Sequence, residues 1–450
     1  MTGSLSNADS PPAGREIWRN TILAGLANYI DAGSIVAGGA ALTLWADLYH
    51  LSSSFVGLLG AFSANAISAG IGALIGGRLC DRFGRKKIYQ YDMLFYAFGM
   101  AWLVFAMQPW MIVLGFVLVG FAVGADIPAS WSLIAEWAPD GQRGKHSGVA
   151  QLLWGLGPVV VLLMYVLVAP LGLLGARIVF VHLMLLALVL TLLRSRMQES
   201  HRWEVAKLAE ETRVAGGSHK AETLGALLAP EHLRSMAFLI GMFGLLQLWG
   251  GTIGFYFPYI LRTVGGQSQV TAVALQSLQF VFELVAIFFI FMRLSDRINQ
   301  RLLFGLGALS QVVGMSLLAI FPLTPPVVLL FLLFISFGFG QAFYQLWSAE
   351  LFPTLLRTTA QGITFAVVRI GLGIWSFFVP VLASTQFTTL VWILTGFLIV
   401  SGLIGVIWAP RNEGKSLEQI EAERNRRYPE LPSVSARSGS PPKLRSYEYL

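Results

Sequence analysis

The strongest constraint on this sequence is a series of apolar runs, each long enough to cross a membrane. A hydrocarbon core of ~30 Å is crossed by a helix of roughly 20 apolar residues. Such runs occupy residues 20–45, 55–77, 88–107, 110–135, 146–169, 172–193, 235–261, 270–293, 302–322, 326–349, 358–382 and 387–409. Backbone polar groups find no water inside lipid, so these runs must fold as helices. The sequence therefore predicts an all-α membrane protein with twelve transmembrane helices in two six-helix halves.

Composition agrees with this prediction. Only 12% of the residues are charged, against about 25% in soluble domains. Glycine and tryptophan are abundant, with 47 and 13 residues, and they suit close helix packing and the membrane interface. Cys80 is the only cysteine, which excludes an internal disulfide, and no Cys and His cluster has metal-ligand spacing. We therefore expect no cofactor and no metal.

A polar stretch divides the chain into two apolar halves. We predict a disordered cytoplasmic leader at 1–16, an N-terminal half at 17–193, a cytoplasmic linker at 194–234, a C-terminal half at 235–410 and a cytoplasmic tail at 411–450. The leader contains no apolar run, so we do not expect a cleavable signal peptide. The linker is too polar to span a membrane, and we expect it to form one or two amphipathic helices at the membrane surface.

The basic residues predict the orientation. With the N-terminus in the cytoplasm, all of the 31 Lys and Arg residues lie on the cytoplasmic side except Arg177, Arg262 and Arg369. Because cytoplasmic loops are enriched in Lys and Arg, we expect a multi-pass protein of the cell (inner or plasma) membrane with both termini cytoplasmic. This asymmetry also accounts for the net charge of +7 without a nucleic-acid partner.

The loop after the second run combines glycines with acidic and basic residues. It reads Gly76-Gly77-Arg78-Leu79-Cys80-Asp81-Arg82-Phe83-Gly84-Arg85-Lys86-Lys87. Glycines allow two helix ends to approach closely, and an Asp at a helix end can face the positive N-terminus of a neighbour. The run resembles the G-x-L-x-D-R-x-G-R-[KR] signature of the major facilitator superfamily. That resemblance implies a major facilitator fold with a central cavity, and a gating role for Gly77, Asp81, Arg82, Gly84 and Arg85.

Further stretches resemble motifs of the sugar porters within that superfamily. They are Ala135-Glu136-Trp137-Ala138-Pro139 with Arg143, Glu199-Ser200-His201-Arg202-Trp203, Glu350-Leu351-Phe352-Pro353-Thr354 with Arg357, and Gly414-Lys415-Ser416-Leu417-Glu418-Gln419-Ile420-Glu421. The second half keeps a degraded copy of the first motif in Asp296-Arg297. The resemblance implies charge networks that close an inner gate, formed by Glu136, Arg143, Asp296, Arg297, Glu350 and Arg357.

Three acidic residues stand out inside predicted spans, at Asp31, Asp126 and Glu283. A charge within the bilayer is costly, so it usually faces a cavity or a partner. The surroundings of Asp31 resemble the first helix of sugar porters, where the Asp is linked to proton coupling; the alternative is a structural partner for an Arg. Sugar porters carry an Arg in the fourth helix where this chain has Phe116. Asp126 instead resembles an acidic position of phosphate–proton and organic-acid symporters, so all three acids are proton-coupling candidates.

Arg369 lies well inside the eleventh predicted span. An arginine keeps its proton and needs a carboxylate, carbonyl oxygens or an anionic substrate. Two hypotheses stay open: a clamp for a substrate carboxylate or phosphate, and an ion pair with Glu283 or Asp126.

Neutral polar residues complete the predicted substrate site. By resemblance to the sugar-binding positions of sugar porters, the candidates are Gln151, Gln247, Thr252, Tyr256, Tyr344 and Gln345. Amide groups both donate and accept hydrogen bonds, and aromatic rings offer an apolar face, which suits polyhydroxyl ligands.

The resulting hypothesis is proton-coupled symport of a sugar, polyol or sugar acid by alternating access. Its alternatives are an organic-anion–proton symporter, a drug–proton antiporter and a non-transporting sensor. We do not expect an enzyme, because no nucleophile–His–acid set is visible, and no P-loop indicates ATP as the driver. The expected partners are a small-molecule substrate, protons and the lipid bilayer, and we expect a monomer. The exact substrate, the direction and the stoichiometry stay open.

Overall fold

The computed structural model describes residues 14–139, 141–195, 197, 199–215, 224–412, 415, 417, 419–420 and 422–423. The regular elements among these residues are all helical, as predicted. The predicted leader before residue 14 and the predicted tail beyond residue 423 lie outside the described residues. Half of the sugar-porter-like motif at 414–421, namely residues 414, 416, 418 and 421, also lies outside them.

The N-terminal half contains seven helices. They are α1 (Gly14–Tyr49), α2 (Ser53–Ala61), α3 (Ile67–Phe83), α4 (Arg85–Val104), α5 (Pro109–Trp137), α6 (Arg143–Val168) and α7 (Leu173–Arg194). Helices α2 and α3 together form the second span, so the half has six spans. The predicted linker contains one helix, α8 (His201–Ala215), and a short 3-10 turn at Leu224–Leu228.

The C-terminal half repeats the count of six spans. Its helices are α9 (Pro230–Thr263), α10 (Gln269–Ala286), α11 (Met292–Leu294), α12 (Gln300–Ile320), α13 (Pro325–Ile335), α14 (Gly340–Glu350), α15 (Arg357–Ser376), α16 (Val379–Thr385) and α17 (Phe387–Trp408). A π-helical turn at Ile287–Phe291 joins α10 to α11 as span 8. Helices α13 and α14 form span 10, and α15 and α16 form span 11. The observed bounds follow the predicted runs closely, although α1 and α9 begin before the predicted residues 20 and 235. The loop predicted after the second run is also mostly helical, because α3 continues to Phe83 and α4 begins at Arg85.

Nine helical segments among the described residues are long and apolar enough to cross a membrane, and the bent pair α15 and α16 makes a tenth. The other two predicted spans are α2 with α3, which is interrupted, and α4. The first turns of α4 carry a basic run, Arg85-Lys86-Lys87, followed by Asp92. Neither α2 nor α3 alone is long enough to cross a membrane, and the basic run makes α4 more polar. Arg85 and Asp92 are buried against other helices, whereas Lys87 is exposed.

Breaks within spans were not predicted from the sequence. Span 2 is interrupted between Ala61 and Ile67, span 10 between Ile335 and Gly340, and span 11 bends by 40° after Ser376. A broken helix frees backbone groups that cannot bind water in lipid, so they need partners inside the protein. Two of these breaks lie at the central cavity.

The halves pack face to face mainly through three pairs of helices. Helix α3 packs against α15, α6 against α10, and α1 against α9. Small residues permit this approach: a Cβ on Gly77 of α3 would lie only 2.5 Å from the Thr358 carbonyl oxygen on α15. Membrane helices associate through such close packing rather than through hydrophobic driving force. The outer faces of the spans expose Leu, Ile, Val and Phe side chains, as a lipid-facing surface requires.

Candidate functional site

A central cavity of about 120 Å³ lies between the two halves. Most of its lining comes from spans 7, 8 and 10 of the C-terminal half. The polar lining residues are Asn65, Gln247, Gln279, Glu283, Gln311, Gln341 and Arg369, and the aromatic ones are Trp154, Trp249 and Phe280. The lining therefore combines amides and flat rings with one acid and one base.

The cavity amides keep hydrogen-bonding capacity. Gln247 Nε2 donates to Gln341 Oε1 at 2.6 Å. The Oε1 atom of Gln279 and the Nε2 atom of Gln341 have no hydrogen-bond partner among the described residues. Buried polar groups normally have partners, so these two atoms are available for a hydrogen bond to a molecule in the cavity.

The break in span 10 shapes one wall of the cavity. Gly338 lies in this break and lines the cavity beside Gln311. A Cβ on Gly338 would collide with the Gln311 amide. The glycine therefore lets the Gln311 amide lie directly against the broken backbone. Secondary transporters often build their substrate sites from such discontinuous helices near the middle of the membrane.

Arg369 joins the cavity to the break in span 2. Its Nη1 donates to the main-chain carbonyl of Asn65 at 3.1 Å and also to the Asn65 side-chain oxygen. Its guanidinium lies 4.5 Å from the centre of the Phe365 ring. Among the ion pairs of the described residues, none involves Arg369 or Glu283, so the predicted pairing of Arg369 with Glu283 or Asp126 is not formed in this structure.

The partner of Asp126 is an arginine from the end of span 6. Arg194 Nη1 donates to Asp126 Oδ1 at 2.9 Å and to Asp92 Oδ1 at 3.1 Å. Asp31 is fully buried nearby, and neither of its carboxylate oxygens has a hydrogen-bond partner among the described residues. The predicted alternative of a direct Arg partner for Asp31 is therefore not seen.

Sequence reasoning missed Asp92 and Arg194. Asp92 lies inside the predicted run 88–107 and carried the same signal as the other buried acids. Arg194 was assigned to the linker, because it follows the last apolar residue of its run. Its role emerges only from the packing of α7 against α4.

Charge networks close one end of the bundle. The end that holds Gly84, Glu136 and Arg143 is the motif end, and the end that holds Asp47 and Arg262 is the opposite end. Glu136 Oε1 accepts from Arg85 Nη2 at 3.1 Å and from Arg357 Nη1 at 2.9 Å.

Three more contacts cross between the halves at the motif end. Arg143 Nη2 donates to Glu350 Oε1 at 2.9 Å, and the Thr359 backbone N–H donates to Asp81 Oδ2 at 2.6 Å. Asp296 accepts from the backbone N–H groups of Gly144 at 3.0 Å and of Lys145 at 3.1 Å. Burial raises the pKa of the Asp296 carboxyl, although these two hydrogen bonds act in the opposite direction.

The other motif residues have local positions. Gly84 joins α3 to α4 at φ 96°, a backbone conformation that glycine adopts without strain. The Arg82 guanidinium lies 5.1 Å from the centre of the Phe83 ring, and Arg297 is exposed.

Several predicted substrate residues pack elsewhere in this conformation. Gln151 Nε2 donates to Gln345 Oε1 at 2.7 Å across the halves. The Tyr344 ring stacks on Phe243 at 3.7 Å between centroids. Of the predicted substrate set, Gln247 and Arg369 line the cavity among the described residues.

Thr252 and Tyr256 also lie away from the cavity lining. Thr252 Oγ1 accepts from Trp375 Nε1 at 2.9 Å, and the Tyr256 hydroxyl donates to the Ser376 carbonyl at 3.0 Å. Both contacts tie span 7 to span 11. The sequence did not single out Gln279, Gln311 and Gln341, whose amides line the cavity. Glutamines occur in several spans, and only the rotation of each helix about its axis decides which of them face the cavity.

The opposite end is held by fewer and more exposed contacts. Arg262 Nη2 lies 2.8 Å from Asp47 Oδ2, with 33% and 65% of the two side chains exposed. The Thr43 hydroxyl donates to Gln269 Oε1 at 2.8 Å. Both ends of the cavity are therefore bridged between the halves.

Comparisons with known proteins agree with this architecture. The family model of the Major Facilitator Superfamily matches residues 21–349 and 250–445. The minor myo-inositol transporter IolF of Bacillus subtilis (strain 168) is 45% identical over 410 residues, covering 90% of this chain and 93% of the relative. The arabinose-proton symporter of the same organism is 27% identical and covers 88% of this chain and 93% of the relative.

A solved structure shares the fold. The proton:xylose symporter XylE bound to 6-bromo-6-deoxy-D-glucose superposes with a TM-score of 0.73 at 19% identity. The match covers 91% of this chain and 99% of the solved chain. The predicted all-α fold with two six-helix halves around a central cavity is thereby confirmed.

Proposed function

Because the chain belongs to the Major Facilitator Superfamily, we propose that it is a secondary active transporter that moves a neutral polyol or sugar together with a proton by alternating access. The motif end would face the cytoplasm of the cell membrane, with both termini on that side and the protein acting as a monomer. The bias of Lys and Arg towards this end supports that orientation.

The chemistry of the central cavity carries this proposal. Gln247, Gln279, Gln311 and Gln341 surround it, together with Trp154 and Trp249. Each hydroxyl of a polyol donates one hydrogen bond and accepts others, and a carboxamide can do both at once. Flat rings pack against the apolar faces of a sugar or cyclitol ring. An amide-rich cavity with aromatic walls therefore fits a compact polyhydroxyl molecule better than a large apolar drug.

The relatives give the proposal its substrate class. IolF is named as a myo-inositol transporter and shares 45% of its residues with this chain over nearly the whole of both sequences. A cyclic polyol of that kind carries no charge. The driving proton would bind to Asp31, Asp126 or Glu283, of which the first two are fully buried and the third lines the cavity.

A second candidate is symport of an organic anion with protons. Arg369 reaches the cavity without an ion pair among the described residues, and the cis,cis-muconate transport protein of Acinetobacter baylyi is 25% identical over 380 residues. A substrate carboxylate could pair with that guanidinium. The bond of Arg369 to Asn65 favours the first candidate, since it already satisfies part of the guanidinium.

Transport in proteoliposomes tests the proposal. Purified protein is reconstituted with an acidic exterior, and uptake of labelled myo-inositol, xylose, glucuronate and cis,cis-muconate is measured with and without a protonophore. We expect myo-inositol to accumulate and the protonophore to abolish accumulation. Gln341→Ala removes an amide at the cavity and should weaken uptake, whereas the exposed Gln386→Ala should not. Uptake confined to the anions would exclude the first candidate.

A further inference from the structure

Two carboxylates of the N-terminal half bind a single arginine, apart from the central cavity, and a third carboxylate, Asp31, is close enough to interact with them electrostatically. Asp31 comes from α1, Asp92 from α4, Asp126 from α5 and Arg194 from α7. The Arg194 and Asp126 side chains are fully buried and the Asp92 side chain is 3% exposed. Among the described residues that line the central cavity, none belongs to this group.

The charges of this cluster do not balance when every group is ionised. Two carboxylates share the one Arg194 guanidinium, and Asp31 has no hydrogen-bonded partner among the described residues. The next cation that acts on Asp31 is Arg369 of the other half. Unpaired negative charge is expensive in a low-dielectric interior. Like-charged carboxylates that share a site hold a proton between them more readily than a lone carboxylate does.

The carboxylate oxygens have room for that proton. Both oxygens of Asp31 and the Oδ2 atoms of Asp92 and Asp126 carry no hydrogen bond among the described residues. A buried acceptor without a donor is costly, and a bound proton supplies the missing donor. The cluster therefore has the unsatisfied acceptors that a proton-binding site requires.

Arg194 is placed to change partners. Its Nη1 atom alone bonds to Asp92, Asp126 and, at 3.0 Å, the Tyr89 carbonyl. Its guanidinium stacks 3.5 Å from the centre of the Tyr89 ring. In the described part of the chain, Nε and Nη2 have no hydrogen-bond partner. A small rotation on the Tyr89 face would therefore move the positive charge from one carboxylate to the other.

The cluster leads from the middle of the bundle towards the motif end. Asp31 lies near the middle of α1, Asp126 lies in the second half of α5, and Arg194 ends α7. Counted over the whole residue, main chain included, Asp92 is 7% exposed, whereas Asp31 and Asp126 are 0% exposed. The least deeply buried of the three acids is thus on the helix that starts at the motif end.

We propose that Asp92, Asp126 and Arg194 form a second proton-binding site, which accepts the proton that Asp31 releases and passes it to the motif end. The transfer is an acid–base step in which an O–H bond of Asp31 breaks, an O–H bond forms on Asp126 or Asp92, and Arg194 moves towards the carboxylate left ionised. The positive charge that sugar porters carry in their fourth helix would here come from span 6. The proton route would run inside the N-terminal half, beside the substrate cavity. This inference rests on the proposed proton-coupled function.

Other ionisable groups lie around the three carboxylates, so each has to be considered as an alternative carrier of the proton. They are Cys80 on α3, Tyr89 and Tyr96 on α4, and Arg369 on α15. The Tyr89 hydroxyl donates to the Ala24 carbonyl at 2.9 Å and the Tyr96 hydroxyl to the Ile30 carbonyl at 3.2 Å. Both hydroxyls are thus engaged with α1 backbone, whereas the three carboxylates keep oxygens without a hydrogen bond among the described residues.

Two transport assays separate proton coupling from substrate movement. Asp92→Asn and Asp126→Asn are compared with wild type in substrate counterflow, which needs no net proton movement, and in accumulation driven by a pH gradient. We expect Asp126→Asn to keep counterflow within about twofold and to lose gradient-driven accumulation by about tenfold or more. The matched control is Glu16→Gln, which neutralises a partly exposed carboxylate paired with Arg19. Wild-type accumulation by both Asn variants would overturn the proposal.

A measurement without substrate tests the site independently of the proposed function. Infrared titration of the purified protein follows the carbonyl band of protonated carboxyl groups as the pH is varied. We expect Asp92→Asn and Asp126→Asn each to change the titration of this band, and Glu16→Gln to leave it unchanged. If wild type transports no polyol yet shows this titration, the proposed substrate is wrong and the proton site stands. An unchanged band in both Asn variants would overturn the proton site.

A triple variant guards against a purely structural ion pair. Asp126→Asn removes the shorter of the two hydrogen bonds that Arg194 donates to a carboxylate, and the variant could lose stability for that reason. Asp92→Asn, Asp126→Asn and Arg194→Gln together remove every charge of the proposed second site and keep hydrogen-bonding side chains, so no charge of that site is left buried and unpaired. We expect the triple variant to fold and to carry out counterflow but to remain uncoupled from the proton gradient. Gradient-driven accumulation by a stable triple variant would show that the cluster is only structural.

Discussion

At the residue scale, Arg369 connects the fold to the cavity. The interruption of span 2 leaves backbone groups without helical partners, and the Asn65 carbonyl is bound by the Arg369 guanidinium instead. A guanidinium offers five donors and keeps its charge at any physiological pH. One side chain can therefore satisfy a broken helix in the first half and still face the cavity from span 11. Arg369, which by its charge suggests an anion-binding role, therefore has a structural partner in Asn65.

We expect Arg369→Gln to destabilise the protein. The Asn65 carbonyl would lose its charged donor, and leaving a buried acceptor unsatisfied costs about 1–3 kcal/mol. The midpoint of thermal unfolding of the purified protein should fall, whereas Arg262→Gln, which breaks a partly exposed pair, should change it little. Equal midpoints for Arg369→Gln and wild type would contradict the structural role.

Gln279 should affect substrate binding without affecting stability. Its Oε1 atom has no partner among the described residues, so its removal by Gln279→Ala breaks no hydrogen bond of that atom within the protein. The loss of one hydrogen bond to a substrate hydroxyl should raise the KM for myo-inositol by about 2- to 10-fold. Initial rates of uptake measure this effect, with Gln386→Ala as the control. A fall in thermal stability with no change in KM would instead indicate a packing role.

At the element scale, the helices of the two halves are joined at the motif end by buried ion pairs. Glu136 ends α5 and bridges Arg85 at the start of α4 to Arg357 at the start of α15. Their side chains are at most 1% exposed. Breaking a buried pair by removing one partner costs about 3–5 kcal/mol, because a charge is left uncompensated. The last turn of α5 and the first turns of α4 and α15 are therefore held together, and these three helix ends close the motif end as a unit.

Neutralising Glu136 should open the motif end. The reporter is Thr358→Cys in a Cys80→Ala background, since Thr358 is fully buried where α15 faces Gly77 of α3. We expect Glu136→Gln to increase the rate at which a maleimide labels this cysteine, because Arg85 and Arg357 lose their common partner. Glu16→Gln should leave the rate unchanged. A labelling rate that does not respond to Glu136→Gln would show that the network does not hold the end closed.

At the scale of the whole molecule, the two ends are closed by contacts of different kinds. Buried charges and backbone hydrogen bonds join the halves at the motif end, whereas the partly exposed Asp47–Arg262 pair bridges the opposite end. Exposed ion pairs contribute only about 0–1 kcal/mol. The opposite end should therefore open at the lower cost in free energy, which matches a carrier that waits for substrate on that side.

Locking the opposite end should stop transport. Cysteines introduced by Asp47→Cys and Arg262→Cys in a Cys80→Ala background can be joined by a short, cleavable thiol cross-linker. We expect uptake of myo-inositol to stop after cross-linking and to recover after cleavage, because alternating access requires this end to separate. Each single cysteine treated in the same way is the control. Full transport with the cross-link in place would contradict alternating access through this end.

Much of the fold could be predicted because each membrane-spanning helix needs one continuous apolar run, which is visible in the sequence. The run 172–193 became α7 almost unchanged, and the run 387–409 became α17. Buried acids such as Asp31 were visible because a charge inside an apolar run stands out. The cavity amides did not stand out, since Gln279 and Gln276 lie one turn apart on α10 and only one of them lines the cavity.

The sequence by itself determined the class of fold and the polarity of its loops, since apolar length and the placement of Lys and Arg are local properties that lipid enforces. It also placed Asp31, Asp126, Glu283 and Arg369 inside spans, but it did not single out Asp92 or Arg194. Only the tertiary structure decided their partners: Arg194 meets Asp126 across 68 residues of chain, and Arg369 meets Asn65 across 304. Such pairs depend on the rotation and the breaks of packed helices. Those are set by how twelve spans fit together, and no single run of sequence specifies them.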